Sequence, residues 1–375
     1  MNQFPLKRTS WFEDLMIWIL QYFSKFLFES VHFYFPAKKQ EIPCPSPFVA
    51  LANHIEERDV PLLPTLHKFM EIRSKYTIPV RRDILEKNFL LKEFKPKGIT
   101  KYLFWLIDKT WIVPLYLKYI GGYPVARPFR DDARHKAKAG TLRDTVEEQW
   151  EYLSERIRAG RKLFLFPEGT YSADGYLNQI RKGLFFLHKK IASINYLNIT
   201  LTYDYISAKK GIAHVGLSEV FQMPEDVTEK EFTCLIREKL SEHYTITPGN
   251  LFSYSLFSED VKKGIPRHFL FFKMERLVNT LYKSGNYYIA KELLVRSYDD
   301  IFAEILFHAK ETGYLESDNS RKFSGTKKLY EAIESKENQH IKKLRKKNIY
   351  LYHRNQLRGI QSELDKIWSE IEVFD

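Results

Sequence analysis

The chain has 375 residues, 44% hydrophobic and 15% aromatic, which excludes a disordered polymer and allows one large domain with additions or two domains. Two cysteines, Cys44 and Cys234, supply no disulfide framework, which fits a reducing compartment. A formal charge of +12 points to an anionic partner; without zinc-finger spacing, an RNA-recognition signature or a basic zipper, nucleic acid is set aside in favour of membrane surface or phosphorylated substrate.

Residues 1–36 read as one or two aromatic-rich helices. Trp18, Ile19, Tyr22, Phe23, Phe26 and Leu27 recur near helical spacing, with Lys25 and Glu29 between them. The longest charge-free run there, Leu15 to Ser24, is far short of the ~20 residues that span a bilayer. The pattern predicts a helix lying in the headgroup region of a membrane; the alternative is a helix packed on the protein's own core. Glu13 and Asp14 interrupt the approach to the apolar run, so no cleavable signal peptide is expected. Pro43, Pro45 and Pro47 mark a boundary, and Pro47 to Ala52 reads as a buried strand ending where the chain turns polar. A helix is expected after Asp59 despite Pro61 and Pro64, since proline is best tolerated in the first turn.

Tyr76 to Val80 reads as a second strand. Residues 71–140 hold sixteen Lys/Arg against seven Asp/Glu. The neighbouring Tyr102, Phe104, Trp105, Trp111, Tyr116 and Tyr119 direct that basic excess towards an anionic lipid interface; a solvated surface is the plainer alternative. Residues 101–120 are apolar, broken by Asp108, Lys109 and Lys118, and read as a helix packed beside the site or touching lipid.

The clearest helix is 141–159, where Leu142, Val146, Trp150, Leu153 and Ile157 trace one face, Thr141 caps and Gly160 ends it. Leu163 to Phe166 is a short buried strand, so Glu168 stands just beyond a strand end. Leu197 to Tyr203 and Ile212 to Leu217 complete a helix–strand alternation that indicates an α/β sheet. The remainder, 226–375, is mainly helical and charged. Its basic run Lys342 to Lys347 reads as a solvated helix face, with anionic lipid as the alternative. Three parts follow: interfacial helices over 1–36, an α/β domain over 37–225 and a helical region over 226–375.

Chemistry enters at His54 and Asp59, which four residues separate directly after the first strand. On a turn entering a helix, Asp59 can fold back to hold one ring nitrogen of His54 and leave the other to take a proton from a hydroxyl. This is the histidine–carboxylate half of a catalytic triad without a protein nucleophile.

Asn53-His54-x4-Asp59, Gly121-Gly-Tyr-Pro-Val-Ala-Arg127 and Phe166-Pro-Glu-Gly-Thr170, in that order, resemble the three blocks of the glycerol-phosphate and lysophospholipid acyltransferase superfamily. The likeness spans about residues 40–225. It implies an acyltransferase fold, with a mixed β-sheet flanked by helices. It also implies transfer of a fatty acyl group from acyl-CoA or acyl-ACP, as co-substrate and with no cofactor or metal, to a lipid hydroxyl. His54 would then be the general base and Asp59 its partner. Arg127 would hold phosphate through two parallel donors, or as a surface residue pair with Asp131 or Asp132. Glu168 would accept from a substrate hydroxyl, or else anchor its turn, while the backbone at Gly169 and Thr170 approaches closely. Arg181 and Lys182, ahead of Gly183, match a basic pair that follows the third block. Lysophosphatidate is the first acceptor implied. Glycerol 3-phosphate is next, because Asn198 to Asp204 and Ile246 to Leu251 look like pieces of the subgroup that acylates it or dihydroxyacetone phosphate. The enzyme would work peripherally at the cytoplasmic face of a membrane.

Two departures bear on the acceptor. The third block usually continues Thr-Arg-Ser, and this chain has Tyr171 before Ser172; the fourth usually carries a proline that Leu197 to Thr202 lacks. A phosphate-free acceptor is therefore a second reading. A non-catalytic membrane-binding protein is a third, against which His54, Asp59 and Glu168 together argue.

Overall fold

The computed structural model describes residues 11, 15, 18–19, 22, 26–36, 42–70, 76–81, 88–119, 121–125, 142–317, 322–334 and 344–371. Its centre is an eight-stranded mixed sheet: β1 (Ser30–Tyr34), β2 (Phe48–Ala52), β3 (Tyr76–Arg81), β4 (Gly122–Val125), β5 (Lys162–Leu165), β6 (Asn195–Asp204), β7 (Ile212–Leu217) and β8 (Phe221–Gln222). Spatial order is β1-β7-β6-β2-β5-β3-β4, with β8 pairing β6. The five strands from β6 to β4 run parallel, while β7 is antiparallel to β6 and parallel to β1.

The central strand β2 explains its own apolar run. Phe48, Ala50 and Ala52 enter one core with Leu197, Ile199, Leu201, Leu62 and Leu66, while Val49 and Leu51 enter the other with Leu163, Leu165, Leu153 and Leu187. All five residues of β2 are buried, as a parallel strand covered on both faces requires. The helix Leu142–Arg158 supplies Leu153 and Ile157 to the second core, and Gly160 ends it at φ +85°. Behind the second block, Gly121 and Gly122 leave no room for a side chain: a Cβ would stand 2.0 Å from the Tyr76 carbonyl oxygen and 2.7 Å from that of Leu117.

Three expectations change. Residues 30–34 are not helical but form the edge strand β1, so the sheet begins before residue 37. The cause is a change of period: Val31, Phe33 and Phe35 pack on the core while Tyr34 turns to His214 on the other side. The apolar stretch 101–120 is two helices, Ile99–Thr110 and Ile112–Tyr119, broken at Trp111 with φ +54°. At the far boundary, the helix Glu229–Ser241 buries Phe232, Ile236 and Leu240 against the sheet, so this layer extends beyond 225.

A separate core takes in Ile206 and residues from Ile246 onward and is built by the helices Pro248–Ser258, Arg267–Ser284, Tyr298–Glu311, Ile349–Gln356 and Gln361–Glu370. It joins the sheet through Asp204, whose buried carboxylate accepts from the Gly249, Ile206 and Ser207 amides and the Ser207 hydroxyl. Burial works against its charge, but nearby His353 and these bonds outweigh it and hold the carboxyl below its usual range. The segments 198–204 and 246–251 thus meet as a structural junction.

Candidate active site

β2, β5 and β6 end on the same side of the sheet, the edge where parallel α/β sheets present their ligand sites. Asn53 stands one residue past β2. Its side-chain amide donates to the Leu201 carbonyl at 2.9 Å and accepts from the Leu201 amide at 2.6 Å, replacing the next ladder pair. The backbone can then leave the sheet without orphaned groups in β6. Asn53 also donates to the hydroxyl of Tyr244 at 3.1 Å.

The four residues between His54 and Asp59 wrap around the Asp59 carboxylate. Oδ2 accepts from the Ile55 amide at 2.6 Å, the Glu56 amide at 3.1 Å and His54 Nδ1 at 2.8 Å. Oδ1 accepts from the Tyr203 hydroxyl at 2.6 Å. Asp59 is fully buried and surrounded by donors, so it acts as an acceptor and the imidazole carries its proton on Nδ1. Nε2 then presents a lone pair, and no hydrogen bond occupies it among the described residues. Burial, then the neighbouring Asp59 charge, push the Tyr203 phenol well above its usual range, so it remains a donor.

The third block closes on the same histidine. Glu168 is fully buried; Oε1 accepts from the His54 amide at 2.9 Å and Oε2 from the Asn178 amide at 2.7 Å. The Ser172 amide donates to the His54 carbonyl at 2.7 Å. Phe166 stacks on the imidazole with ring centroids 3.9 Å apart, and Tyr171 lies against it at 4.2 Å. Both backbone groups, one ring nitrogen and the ring face of His54 are therefore fixed. Burial pushes the Glu168 carboxyl up to about 7; the Asn178 and His54 amides pull against that shift, and Asp59 adds to it.

The remaining expected site residues divide. Arg127 lies outside the described residues. Gly169, at φ +66°, shapes the turn and donates its amide to the Phe166 carbonyl, and Thr170 is exposed beside it. Arg181 returns to this turn: its amide donates to the Pro167 carbonyl at 2.9 Å and its Nε to the Glu168 carbonyl at 3.1 Å. Lys182 instead pairs with Glu229 at 2.9 Å, and its side chain is largely exposed. Gly183 faces the Trp150 ring, which a Cβ would meet at 2.0 Å. Tyr203 and Tyr244 had no signal in local sequence, because they come from β6 and from the segment after the Glu229–Ser241 helix.

No curated protein matches the chain significantly. Among solved structures, the 1-acyl-sn-glycerophosphate (LPA) acyltransferase PlsC from Thermotoga maritima is similar over 62% of this chain and 84% of its own, at 16% identity and a TM-score of 0.34. Residues 35–202 match the family described as Acyltransferase, and this stretch contains all three blocks. Over that stretch the chain is similar to the acyltransferase family, and this likeness supports an acyltransferase enzyme.

Proposed function

We propose that the protein moves a fatty acyl group from a coenzyme A or acyl-carrier-protein thioester to the hydroxyl of lysophosphatidate or a related lysophospholipid. The observation that carries this reading is the 2.8 Å contact of His54 Nδ1 with buried Asp59, which leaves Nε2 as a base. In the reaction, Nε2 takes the acceptor's hydroxyl proton as its oxygen attacks the thioester carbonyl carbon. Asp59 stabilises the imidazolium that forms. The tetrahedral intermediate expels the thiolate, and His54 returns the proton to sulfur, giving an ester and a free thiol. Arg127 and Arg181 are the cations proposed to hold the acceptor phosphate.

A second acceptor class has a specific observation in its favour. Tyr171 stands where the family carries arginine and packs on the His54 ring, so this position offers a phenol face to the acceptor rather than a guanidinium. Such a site suits a lipid alcohol without phosphate there. Glycerol 3-phosphate is less favoured, because the segments that suggested it form the junction around Asp204.

A peripheral position at a membrane is part of the proposal. Trp11, Leu15, Trp18, Tyr22 and Phe26 are exposed at helical spacing, as are Tyr102, Leu103, Trp105 and Leu106 on the helix Ile99–Thr110. Among the described residues, no helix is long and apolar enough to cross a membrane. The test is product analysis after incubating purified protein with acyl thioesters and a panel of acceptors. Acylated lysophosphatidate supports the first reading, and acylation of phosphate-free alcohols alone supports the second. No acyl ester from any pair would overturn both.

A further inference from the structure

The basic run 342–347 read from sequence as a solvated helix face, yet Arg345 within it turns inward. Its Nη1 donates to Glu56 Oε2 at 2.6 Å and to the Tyr205 hydroxyl, and its guanidinium lies over the Tyr205 ring at 4.6 Å. Tyr205 in turn donates to Glu56 Oε1 at 3.0 Å. Glu56 is one of the four residues that wrap Asp59, and its own amide donates to that carboxylate. Arg58, in the same wrap, bonds the Glu56 carboxylate and the carbonyls of Leu27 and Lys210. The His54–Asp59 loop is thus held by its side chains as well as by its backbone.

The segment that carries Arg345 also grips the other motif loop. The Leu344 amide donates to the Ala173 carbonyl at 3.0 Å, and the Asn355 side chain donates to the Asp174 carbonyl at 2.8 Å. Gly175 has no room for a side chain, since its Cβ would stand 2.3 Å from the Tyr352 carbonyl oxygen. Residues 344–355 lie outside the stretch that matches the family, yet they touch the loop within the first block and the loop after the third.

We infer that Arg345 is a positioning residue for acyl transfer. Its bond to Glu56 holds the His54–Asp59 loop, and the C-terminal helical region is therefore part of the catalytic architecture. A carboxylate as buried as Glu56 needs compensating charge, and Arg345 supplies it at Oε2 while Arg58 bonds Oε1. Without Arg345, Glu56 would seek solvent and draw the loop amides away from Asp59. The inference rests on the acyltransferase reading for its functional consequence and on geometry alone for the clamp.

Its test uses the full chain as Arg345→Met, Arg345→Lys, Glu56→Gln and the Glu56→Gln/Arg345→Met double variant, with melting temperature recorded for each. Amide hydrogen exchange over 53–60 reads the clamp without substrate. Exchange at Ile55 and Glu56 should accelerate about 10-fold in Arg345→Met, between the limits for exposed and buried ion pairs. Unchanged exchange overturns the clamp. In the activity assay, kcat should fall about 10-fold with both KM values little changed, as expected for a displaced base. Arg345→Lys should recover most of that loss. The double variant should be no slower than the worse single variant, because Arg345 acts through Glu56. Multiplying losses would overturn that route, and a raised KM with normal kcat would overturn the positioning role. A wild-type protein with no acyl transfer would overturn the functional reading, while hydrogen exchange still decides the clamp.

Discussion

Glu168 makes the stability of this fold depend on pH with an unusual sign. Its carboxyl is fully buried and pushed up from the ordinary 4.5 to about 7, with burial as the first cause. Below the lower value both folded and unfolded chains hold the proton. Between the two values the folded protein keeps a proton that the unfolded chain has released, so stability falls as pH rises through this window and the loss is complete above the upper value. A shift of this size corresponds to about 3 kcal/mol at 1.36 kcal/mol per pH unit. Glu168→Gln removes the titration while keeping shape, although one of the His54 and Asn178 amides then meets an NH2 group instead of an oxygen. Urea unfolding of both proteins at several values between about pH 5 and pH 8 reads the difference, and other titrating groups cancel between them. Wild type should be the more stable at low pH, and its advantage should shrink by about 3 kcal/mol by the upper end. An advantage that stays constant across the range would refute the argument that burial dominates at Glu168.

Tyr203→Phe removes the 2.6 Å donor from Asp59 and leaves Oδ1 buried without it; at about 1.5–3 kcal/mol for a bond to a charged group, turnover should drop by roughly 10-fold or more at unchanged acceptor KM, read by steady-state kinetics. Tyr171→Arg should improve use of phosphate-bearing over phosphate-free acceptors, and Arg181→Ala should do the reverse; acceptor KM and kcat on both classes decide, and indifference of both variants to phosphate would count against phosphate reading here. The protein should sediment with anionic vesicles and leave them in part at high salt. Trp105→Ala should weaken that partition by up to about 1.5–3 kcal/mol, the transfer value of one large apolar side chain, and equal sedimentation with neutral vesicles at any salt would refute an electrostatic contribution.

Much of the sheet was legible because buried strands advertise themselves as short apolar runs. β2, β3, β5 and β7 appear within a residue or two of their expected ends, as does the helix Leu142–Arg158. The edge strand β1 was not, since an aromatic stretch that follows helical spacing up to Leu27 changes period only at Val31, and five residues are too few to announce it. At the site, the His54–Asp59 pair was legible because four intervening residues suffice for a carboxylate to reach back and collect two amides of its own loop. Glu168 was visible as a motif residue, but its bonds to the His54 and Asn178 amides depend on β5 lying beside β2. Tyr203, Tyr244 and Arg345 meet their partners at the site across 144, 191 and 289 residues of chain, and no spacing rule encodes such contacts.

The proposed mechanism turns on His54 taking the proton from the acceptor hydroxyl. Single-turnover acyl transfer by wild type and His54→Ala, at saturating thioester and acceptor and with matched circular dichroism, tests it most directly. Loss of turnover by a factor on the order of 10² or more, with the fold intact, is expected if His54 is the base. Turnover near the wild-type rate in a folded His54→Ala protein would contradict it.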